Sequence, residues 1–432
     1  MTAWPGDPPS PLYAALARES FAAAPLAADT DTDVVVIGGG IGGLAAALAL
    51  AQAGVATIVL EAATIGAGAS GRNNGQVIPT LTRHDPQALL KAMGAEPGER
   101  FLRMLERSAD LLFDTVARYH IDCDAVRNGW IQPAHSPGRA RLAAQRAHQW
   151  QARGVPAAPL DAAAMAEHLG STAYAGGWRH AGGGHINPLA FTRGLARAVV
   201  AEGGIVHEHS PALSLAREPD GWRVATGRGA VRCRKVVMVT AAHTGNLWPG
   251  LAKTVVPVTS YQLATVPLPP ELLSRILPFD EAVSDTRNDL RYFHKDRDGR
   301  LISGGALAVQ LLAGARLPAL VRARLAATFP HLAGIAFAAF WSGRIAMTTD
   351  RLPRLHRTQD GLVSWIGCNG RGLALAMGMG AVMRDAAMGA PDADLALAPT
   401  VAHPIPLHGL VRRTARLALP LYRRRDRREI DA

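Results

Sequence analysis

The sequence predicts an α/β protein that combines a parallel sheet covered by helices with a second domain built on a mixed or antiparallel sheet. A strand, a glycine turn, a helix and a second strand follow one another over residues 33–61. A second glycine cluster at 367–372 opens another apolar helix late in the chain, and strand-type segments with Asp-Gly turns lie between 204 and 305. At 432 residues, the chain exceeds what one hydrophobic core usually supports, so we expect two domains.

The first strand–helix–strand unit carries a dinucleotide-binding pattern. Gly38 suits the tight turn, Gly40 lets the backbone approach a pyrophosphate, and Gly43 lets the helix pack close to the strand. Glu61 ends the second strand, where a carboxylate accepts hydrogen bonds from a ribose. The uncharged run 34–60 is long enough to span a membrane, but its glycines and β-branched blocks favour strands buried on both faces.

The net charge of +11 is concentrated at the C-terminus. From Leu407 onward, eight arginines face only three acidic residues, and the rest of the chain shows no nucleic-acid motif, so no nucleic acid partner is expected. We expect the tail to form a solvated helix packed on the body. A peripheral contact with an anionic membrane, or with a partner protein, is the alternative. Three cysteines without paired or metal-type spacing indicate a cytoplasmic location.

The motifs divide the chain into an arm, two interleaved domains and a tail. Residues 1–32 form the arm, with a short helix expected at 13–21. Segments 33–80, 187–250 and 345–392 are assigned to the nucleotide domain, and 81–186 and 251–344 to the substrate domain. Residues 393–432 form the basic tail. A helix is expected to begin at Pro318, because proline suits a first turn.

Several further motifs occur in the order typical of one family. They occupy residues 68–76, 120–124, 184–189, 257–261, 341–344, 348–353 and 367–373. With them the chain resembles the FAD-dependent D-amino-acid oxidase superfamily over nearly its whole length, and looks most like the γ-glutamylputrescine oxidoreductase group. The resemblance implies a discontinuous, glutathione-reductase-like FAD domain of Rossmann type plus a substrate domain.

This resemblance implies where FAD binds. The pyrophosphate would lie at the first glycine helix, the ribose on Glu61, and the flavin ring against loop 70–76, whose polar side chains can donate hydrogen bonds. The helix after residue 372 would stabilise negative charge on the reduced ring. The alternative for residues 70–76 is a polar loop without a role in flavin binding. The side chain of Arg371 could instead bind a phosphate or point to solvent. The cofactor-binding residues expected are Gly38, Gly40, Gly43, Glu61, Ser70, Arg72, Asn73, Asn74, Gly75, Gln76, Ala212, Arg344, Gly370, Arg371, Gly372 and Leu373.

The chemistry implied is oxidation of an amine C–N bond by hydride transfer to flavin N5, which gives an imine that water hydrolyses. Because the cofactor carries this chemistry, the protein mainly supplies orientation. The catalytic wall is expected from Tyr261, Tyr292, His294 and Trp341, although each aromatic equally suits a strand core, and His294 the surface.

Departures from the family pattern bear on the substrate and the acceptor. Relatives that oxidise amino acids hold the substrate carboxylate with an arginine, and Ile345 occupies that position here. Arg344 lies one residue earlier and would face the other way, unless the strand contains a bulge. A γ-glutamylputrescine-like amine or related polyamine derivative is therefore expected. No cysteine occurs at 341–350, so FAD should be non-covalent. Ile302 replaces an oxygen-activating lysine, so molecular oxygen and another electron acceptor both stay open.

Two other functions remain as alternatives. One is an FAD-dependent D-amino-acid, glycine or N-methylamino-acid oxidase or dehydrogenase. The other is a flavin-binding RNA-modification or assembly protein that uses the basic tail. An NAD-dependent dehydrogenase is disfavoured, because loop 70–76 and the second glycine cluster would have no role in it.

Overall fold

The computed structural model describes residues 12–431. The helices are α1 Leu12–Leu16, α2 Ile41–Gln52, α3 Pro86–Met93, α4 Ala95–Glu106, α5 Ser108–Arg118, α6 Pro137–Gln151, α7 Ala162–Leu169, α8 Pro188–Ala201, α9 Pro270–Leu273, α10 Ala313–Thr328, α11 Leu373–Ala387, α12 His408–Thr414 and α13 Ala418–Asp431. The strands are β1 Thr30–Ile37, β2 Thr57–Leu60, β3 Gln76–Val77, β4 Trp130–Pro133, β5 Ala157–Leu160, β6 Gly177–His180, β7 Gly184–His185, β8 Ile205–His207, β9 Ser214–Glu218, β10 Gly221–Ala225, β11 Ala230–Met238, β12 Val256–Thr265, β13 Ala282–Ser284, β14 Tyr292–Lys295, β15 Leu301–Gly305, β16 Phe337–Met347, β17 Arg354–Arg357 and β18 Leu362–Ile366.

The first sheet has the order β17-β18-β11-β1-β2-β8, and its five strands from β18 to β8 are parallel. β9 and β10 extend it as an antiparallel hairpin on β11. Val34 and Val36 pack in the cluster of α2, α8 and α11, whereas Val35 and Ile37 pack in a second cluster on the opposite face. Burial on both faces explains why residues 34–60 carry no charge. Among residues 12–431, no helix has the length and apolarity that crossing a bilayer requires.

Helices α2 and α11 cross in direct backbone contact. A Cβ placed on Gly380 of α11 would lie 2.7 Å from the carbonyl oxygen of Ala45 in α2. α2 follows β1 and α11 follows β18, and these strands run in the same direction in one sheet. The two glycine clusters, far apart in sequence, therefore lie at the same carboxyl edge of the sheet, where α/β proteins bind their ligands.

The second sheet has the order β16-β12-β15-β14-β13-β4-β6-β5 and is antiparallel except between β13 and β4. Its outer face packs on α10 through residues such as Leu317 and Val321. We call the opposite face, which is turned toward the first sheet, the inner face. Strand pairing and alternation place the following side chains or glycines on it: Ser260, Gln262, Tyr292, His294, Ile302, Gly304, Trp341, Gly343 and Ile345. The α/β fold with a second, mixed sheet is confirmed.

The arm bridges the two sheets. The ring of Tyr13 in α1 packs edge-on against Trp341 of the inner face, with ring centroids 5.3 Å apart. The extended segment after α1 then follows the first sheet, where Glu208 accepts a hydrogen bond from Ala23 N–H and Ser210 Oγ from Leu26 N–H, both at 2.9 Å. The predicted helix 13–21 is shorter than expected. The first part of the arm, residues 1–11, lies outside the described residues.

Two further expectations differ in detail from the structure. α10 begins at Ala313 rather than at Pro318, so the proline lies inside the helix. α4 and α5 fall in the segment assigned to the substrate domain, yet they pack with α11 in the core of the first sheet. Both helices are amphipathic, and an amphipathic pattern shows only that one side of a helix is buried. The sequence of α4 and α5 therefore does not indicate which of the two sheets they cover. The division into domains stays a prediction.

The α2–α11 contact gives a matched test of packing. We expect Gly380→Ala to lower the free energy of unfolding by about 1–3 kcal/mol, because the added Cβ meets the Ala45 backbone. Gly314→Ala, also in a helix but with open space where its Cβ would lie, should instead stabilise by about 0.5 kcal/mol. Urea unfolding of both apoproteins measures the difference, and equal effects would contradict the contact.

Candidate functional site

The turn between β1 and α2 leaves room only for glycine. Gly38 has φ +114°, and a Cβ there would lie 2.7 Å from the Val239 carbonyl oxygen. A Cβ on Gly43 would lie 1.9 Å from the Gly38 carbonyl oxygen. The first turn of α2 therefore presents bare backbone at its positive end, an arrangement that binds phosphate groups.

Glu61 lies beside this turn at the end of β2. Its Oε2 accepts a hydrogen bond from Gly39 N–H at 2.7 Å, and its Oε1 accepts one from Ala63 N–H at 2.8 Å. Burial raises the pKa of Glu61, and these two hydrogen bonds oppose the rise. Ser210 N–H donates to the Glu61 carbonyl oxygen at 2.8 Å, which brings the segment of half-buried Ala212 alongside.

Loop 70–76 is tied to the start of α2. Ser70 Oγ accepts a hydrogen bond from Ile41 N–H at 2.9 Å. A Cβ on Gly40 would lie 2.7 Å from this oxygen, so only glycine permits the approach. Ser70 thus borders the same bare helix start as Glu61, from the opposite side of the turn.

The polar side chains of the loop maintain its conformation. Asn73 Nδ2 donates to the carbonyl oxygens of Ala69 and Ser70, and its Oδ1 accepts from Gly75 N–H at 2.8 Å. Asn74 Oδ1 accepts from Gln76 N–H at 3.2 Å. Arg72 Nε donates to the Ala67 carbonyl oxygen at 2.9 Å. That these side chains donate to a flavin stays a prediction.

The second sheet holds the loop from the other side. Gln76 Nε2 donates to the carbonyl oxygens of Val283 and Phe293 at 2.9 and 3.3 Å. Trp341 Nε1 donates to the Arg72 carbonyl oxygen at 3.0 Å. The loop is therefore fixed between both sheets.

His294 and Trp341 are buried supports of this loop. His294 Nε2 lies 2.6 Å from the Asn74 carbonyl oxygen, and its ring lies 4.6 Å from that of His185. Both His294 and Trp341 are at most 2% exposed, so His294 is not a surface residue. Their contacts position the loop, and a direct part in catalysis stays a prediction for both.

Tyr261, which was expected in the catalytic wall, lies apart from the other three candidates, and a catalytic part for it stays a prediction. Tyr261 lies in the outer core of the second sheet, where its ring stacks on Phe340 at 5.6 Å. Tyr292, His294 and Trp341 lie on the inner face instead. Strand alternation causes this separation, because Tyr261 is paired with Ser342, one residue out of phase with Trp341.

A polar row on the inner face was not anticipated from the sequence. The Tyr292 hydroxyl lies 2.9 Å from Gln262 Oε1 and 3.0 Å from the Tyr261 carbonyl oxygen. Gln262 Nε2 donates to Ser260 Oγ at 3.3 Å, and Ser260 is half-buried. Burial raises the pKa of Tyr292, so the phenol stays protonated. Applying the two-residue period to β12 would have selected Ser260 and Gln262 in place of Tyr261.

Ile345 faces the second glycine cluster. Its Cδ1 lies 3.8 Å from the position of a Cβ on Gly370. Arg344 lies on the outer face of the strand with Tyr261 and Phe340. The only register shift between β12 and β16 lies at Ala264 and Thr265, so no bulge turns Arg344 inward.

The second glycine cluster forms a tight turn before α11. Gly367 and Gly370 have φ of +86° and +88°, and Asn369 Oδ1 accepts a hydrogen bond from Thr348 N–H at 2.8 Å. Gly372 precedes α11 without a side-chain cap, and Leu373 begins the helix as a buried residue. This helix therefore also begins with uncapped backbone at the shared sheet edge.

Arg371 turns away from this helix start. Its Nη1 donates to Thr80 Oγ1 and to the Leu81 carbonyl oxygen, and its guanidinium lies 4.8 Å from the Trp130 ring centroid. Burial lowers the pKa of Arg371 to about 9, so it stays charged at neutral pH. The expected contact of Arg371 with flavin stays a prediction, as does that of Arg344.

These features fit a dinucleotide that carries a redox ring. One bare helix start with an adjacent carboxylate suits a pyrophosphate and ribose, and a second such start suits the anionic edge of a flavin. Glycines close both turns, so the backbone can approach the ligand. The fold and site together define an FAD-dependent oxidoreductase.

A family model described as FAD dependent oxidoreductase (DAO) matches residues 33–386, and the chain belongs to this family. The Escherichia coli γ-glutamylputrescine oxidoreductase is 32% identical over 370 residues, covering 84% of this chain and 85% of that protein. A Haemophilus influenzae probable oxidoreductase OrdL is 29% identical, covering 86% of each. The crystal structure of glycine oxidase from Geobacillus kaustophilus shares the fold, with a TM-score of 0.70 and 22% identity over 84% of this chain and 95% of that one. FAD as the cofactor is thereby confirmed.

Glu61 gives a direct test of the ribose side. In Glu61→Gln, the single amide oxygen can accept a hydrogen bond from only one of the two backbone N–H groups, that of Gly39 or that of Ala63. The new NH₂ group is itself a donor and would face the other N–H without forming a hydrogen bond. We expect the dissociation constant of FAD to rise about tenfold. Flavin fluorescence titration of the apoprotein measures it, with the exposed Glu96→Gln as control. A change in the dissociation constant below about twofold would contradict a contact between Glu61 and the bound FAD.

Proposed function

We propose that this enzyme oxidises the C–N bond of a primary or secondary amine, and that the amine is a γ-glutamylputrescine-like compound or related polyamine derivative. The product is an imine, which water hydrolyses to an aldehyde plus ammonia or a smaller amine. The single observation that carries the proposal is the inward orientation of Ile345 opposite Gly370.

An apolar side chain at this position disfavours a substrate carboxylate. A carboxylate buried without a cationic partner costs several kcal/mol, roughly as other unpaired buried ions do. Arg344, which precedes Ile345 in β16, lies on the outer face of the strand. An amine whose reacting carbon bears no carboxylate avoids this cost. The 32% identity to a γ-glutamylputrescine oxidoreductase supports the same class of substrate.

The polar row on the inner face is suited to orienting an amine. Gln262 Oε1 and Ser260 Oγ can accept hydrogen bonds from amine N–H groups. Tyr292 stays a neutral phenol and fixes Gln262 through the 2.9 Å contact. FAD, when bound, supplies the two-electron oxidation. The protein therefore contributes neutral hydrogen-bonding groups rather than a charged acid or base.

The molecule that reoxidises the flavin is either molecular oxygen or another electron acceptor, and both stay predictions. Ile302, at the position of the oxygen-activating lysine in relatives, is fully buried beside Tyr13 and Trp341. No ammonium group is therefore supplied from this point of β15. The cytoplasmic location also stays a prediction.

Substrate choice is tested by the position of Ile345. In the wild type, we expect anaerobic bleaching of the flavin absorbance by γ-glutamylputrescine and related amines, and none by glycine or D-amino acids. Ile345→Arg should shift the ratio of kcat/KM values toward α-amino acids by about 10–100-fold, because the guanidinium can bind a carboxylate. Ala338→Arg, at an exposed position on the same strand, should leave the ratio unchanged.

Turnover of D-amino acids by the wild type, with silence across a panel of amines, would overturn the proposal in favour of an amino-acid oxidase. An RNA-modifying function would instead require salt-sensitive RNA binding that depends on the tail.

Non-covalent attachment of FAD is tested separately. The cysteines at 123, 233 and 368 are free, and burial raises the pKa of each thiol, which disfavours the reactive thiolate. Acid precipitation should therefore release all of the flavin into the supernatant. Flavin that stays in the denatured pellet would contradict this expectation.

A further inference from the structure

The C-terminal helix is docked on the second sheet by a buried carboxylate. Asp426 is 4% exposed. Its Oδ1 accepts from the backbone and side-chain amides of Asn288 at 2.9 and 2.7 Å, and its Oδ2 accepts from Asp289 N–H at 2.9 Å. Arg423 Nε pairs with Asp289 Oδ2 at 2.6 Å. These contacts fix which side of α13 faces the body.

A second set of contacts holds the end of the helix. Arg139 donates to both carboxylate oxygens of Glu429, at 2.7 and 2.9 Å, and lowers the pKa of Glu429 to about 2. His135 Nε2 lies 3.2 Å from the same carboxylate. Together with Asp426, Glu429 and its Arg139 partner anchor α13 on the body of the protein. The opposite side of the tail is consequently held toward solvent.

The solvent side of the tail carries large apolar side chains. Leu410, Leu417 and Leu421 are 56%, 60% and 66% exposed. They lie in α12, in the 3-10 turn Ala415–Leu417 that follows it, and in α13. Leu407, just before α12, is 75% exposed. We call residues 407–430 the tail surface. Such a group of exposed leucines in one short segment, here called the leucine row, is unusual on a surface unless something covers it.

Arginines without an acidic partner flank these leucines. Within the described part of the chain, no ion pair involves the following exposed side chains of the tail surface: Arg412, Arg413, Arg416, Arg424, Arg427 and Arg428. The two acidic side chains described in this segment are already used, because Asp426 is buried and Glu429 pairs with Arg139 and Arg425. The leucine row therefore lies in a strongly positive surface.

We propose that the tail surface binds an anionic lipid bilayer. A bilayer satisfies both features at once, since leucines insert at the level of the headgroups and arginines pair with lipid phosphates. RNA would satisfy the arginines but leave the leucines in water. The inference is independent of the substrate, because the tail surface contains no residue of the flavin site.

The test is co-sedimentation of the holoenzyme with vesicles. We expect binding to phosphatidylcholine vesicles that contain about one-third phosphatidylglycerol, weak binding to pure phosphatidylcholine, and release at about 0.5 M NaCl. The variant Arg412→Gln/Arg413→Gln/Arg416→Gln should weaken binding about a hundredfold. The variant Leu410→Gln/Leu417→Gln/Leu421→Gln should weaken it about tenfold.

Leu311→Gln/Leu312→Gln is the matched control, because these leucines are 72% and 69% exposed but lie outside the tail surface. It should bind vesicles as the wild type does, and all variants should keep the same Tm and amine oxidation. A tryptophan placed by Leu421→Trp should shift its emission to the blue on adding anionic vesicles. Absence of co-sedimentation with anionic vesicles would overturn the proposal. It would also be overturned if the leucine variant bound vesicles as tightly as the wild type and RNA bound the protein equally well.

Discussion

The contact between the backbones of α2 and α11 is the constraint on which the site depends. Gly380 permits this approach, and it sets two helices side by side at one edge of the parallel sheet. Each helix begins at a glycine turn, and in each the N-cap residue is a glycine that supplies no capping side chain. A ligand with separate anionic groups can thus meet two helix starts at once. The sheet supplies the direction of both helices, and glycine supplies their distance.

Loop 70–76 connects the first sheet and its helix α2 to the second sheet. Ser70 attaches it to α2, whereas Gln76 and the Arg72 carbonyl attach it to the second sheet. Its polar side chains are largely consumed in these attachments and in its own turns. The loop therefore has a rigid backbone, and Gln262 and Ser260 lie on the inner face of the second sheet. Rigidity of this kind suits chemistry that requires close approach.

Local patterns predicted the first part of this arrangement well. The turn at Gly38, the carboxylate of Glu61 and the helix after Gly372 follow from spacing within short segments, so the sequence suffices for them. Long-range features were harder. The face of the second sheet on which Tyr261 lies depends on the pairing of β12 with β16, which the sequence of β12 alone does not indicate. The packing of α4 and α5 on α11, and the contacts of Arg371 with residues 80 and 81, join segments far apart in the chain, and no local signal indicates them.

The arm has a consequence for how the molecule is assembled during translation. It is synthesised before the residues that it contacts, because Tyr13 packs on Trp341 and the backbone that follows pairs with Glu208 and Ser210. β18 and α11, which complete the first sheet, are synthesised later still. The segment from Tyr13 to Leu26 therefore lacks these partners until the later segments have been synthesised. Such late closure favours slow maturation and makes chaperone protection of the early segments valuable.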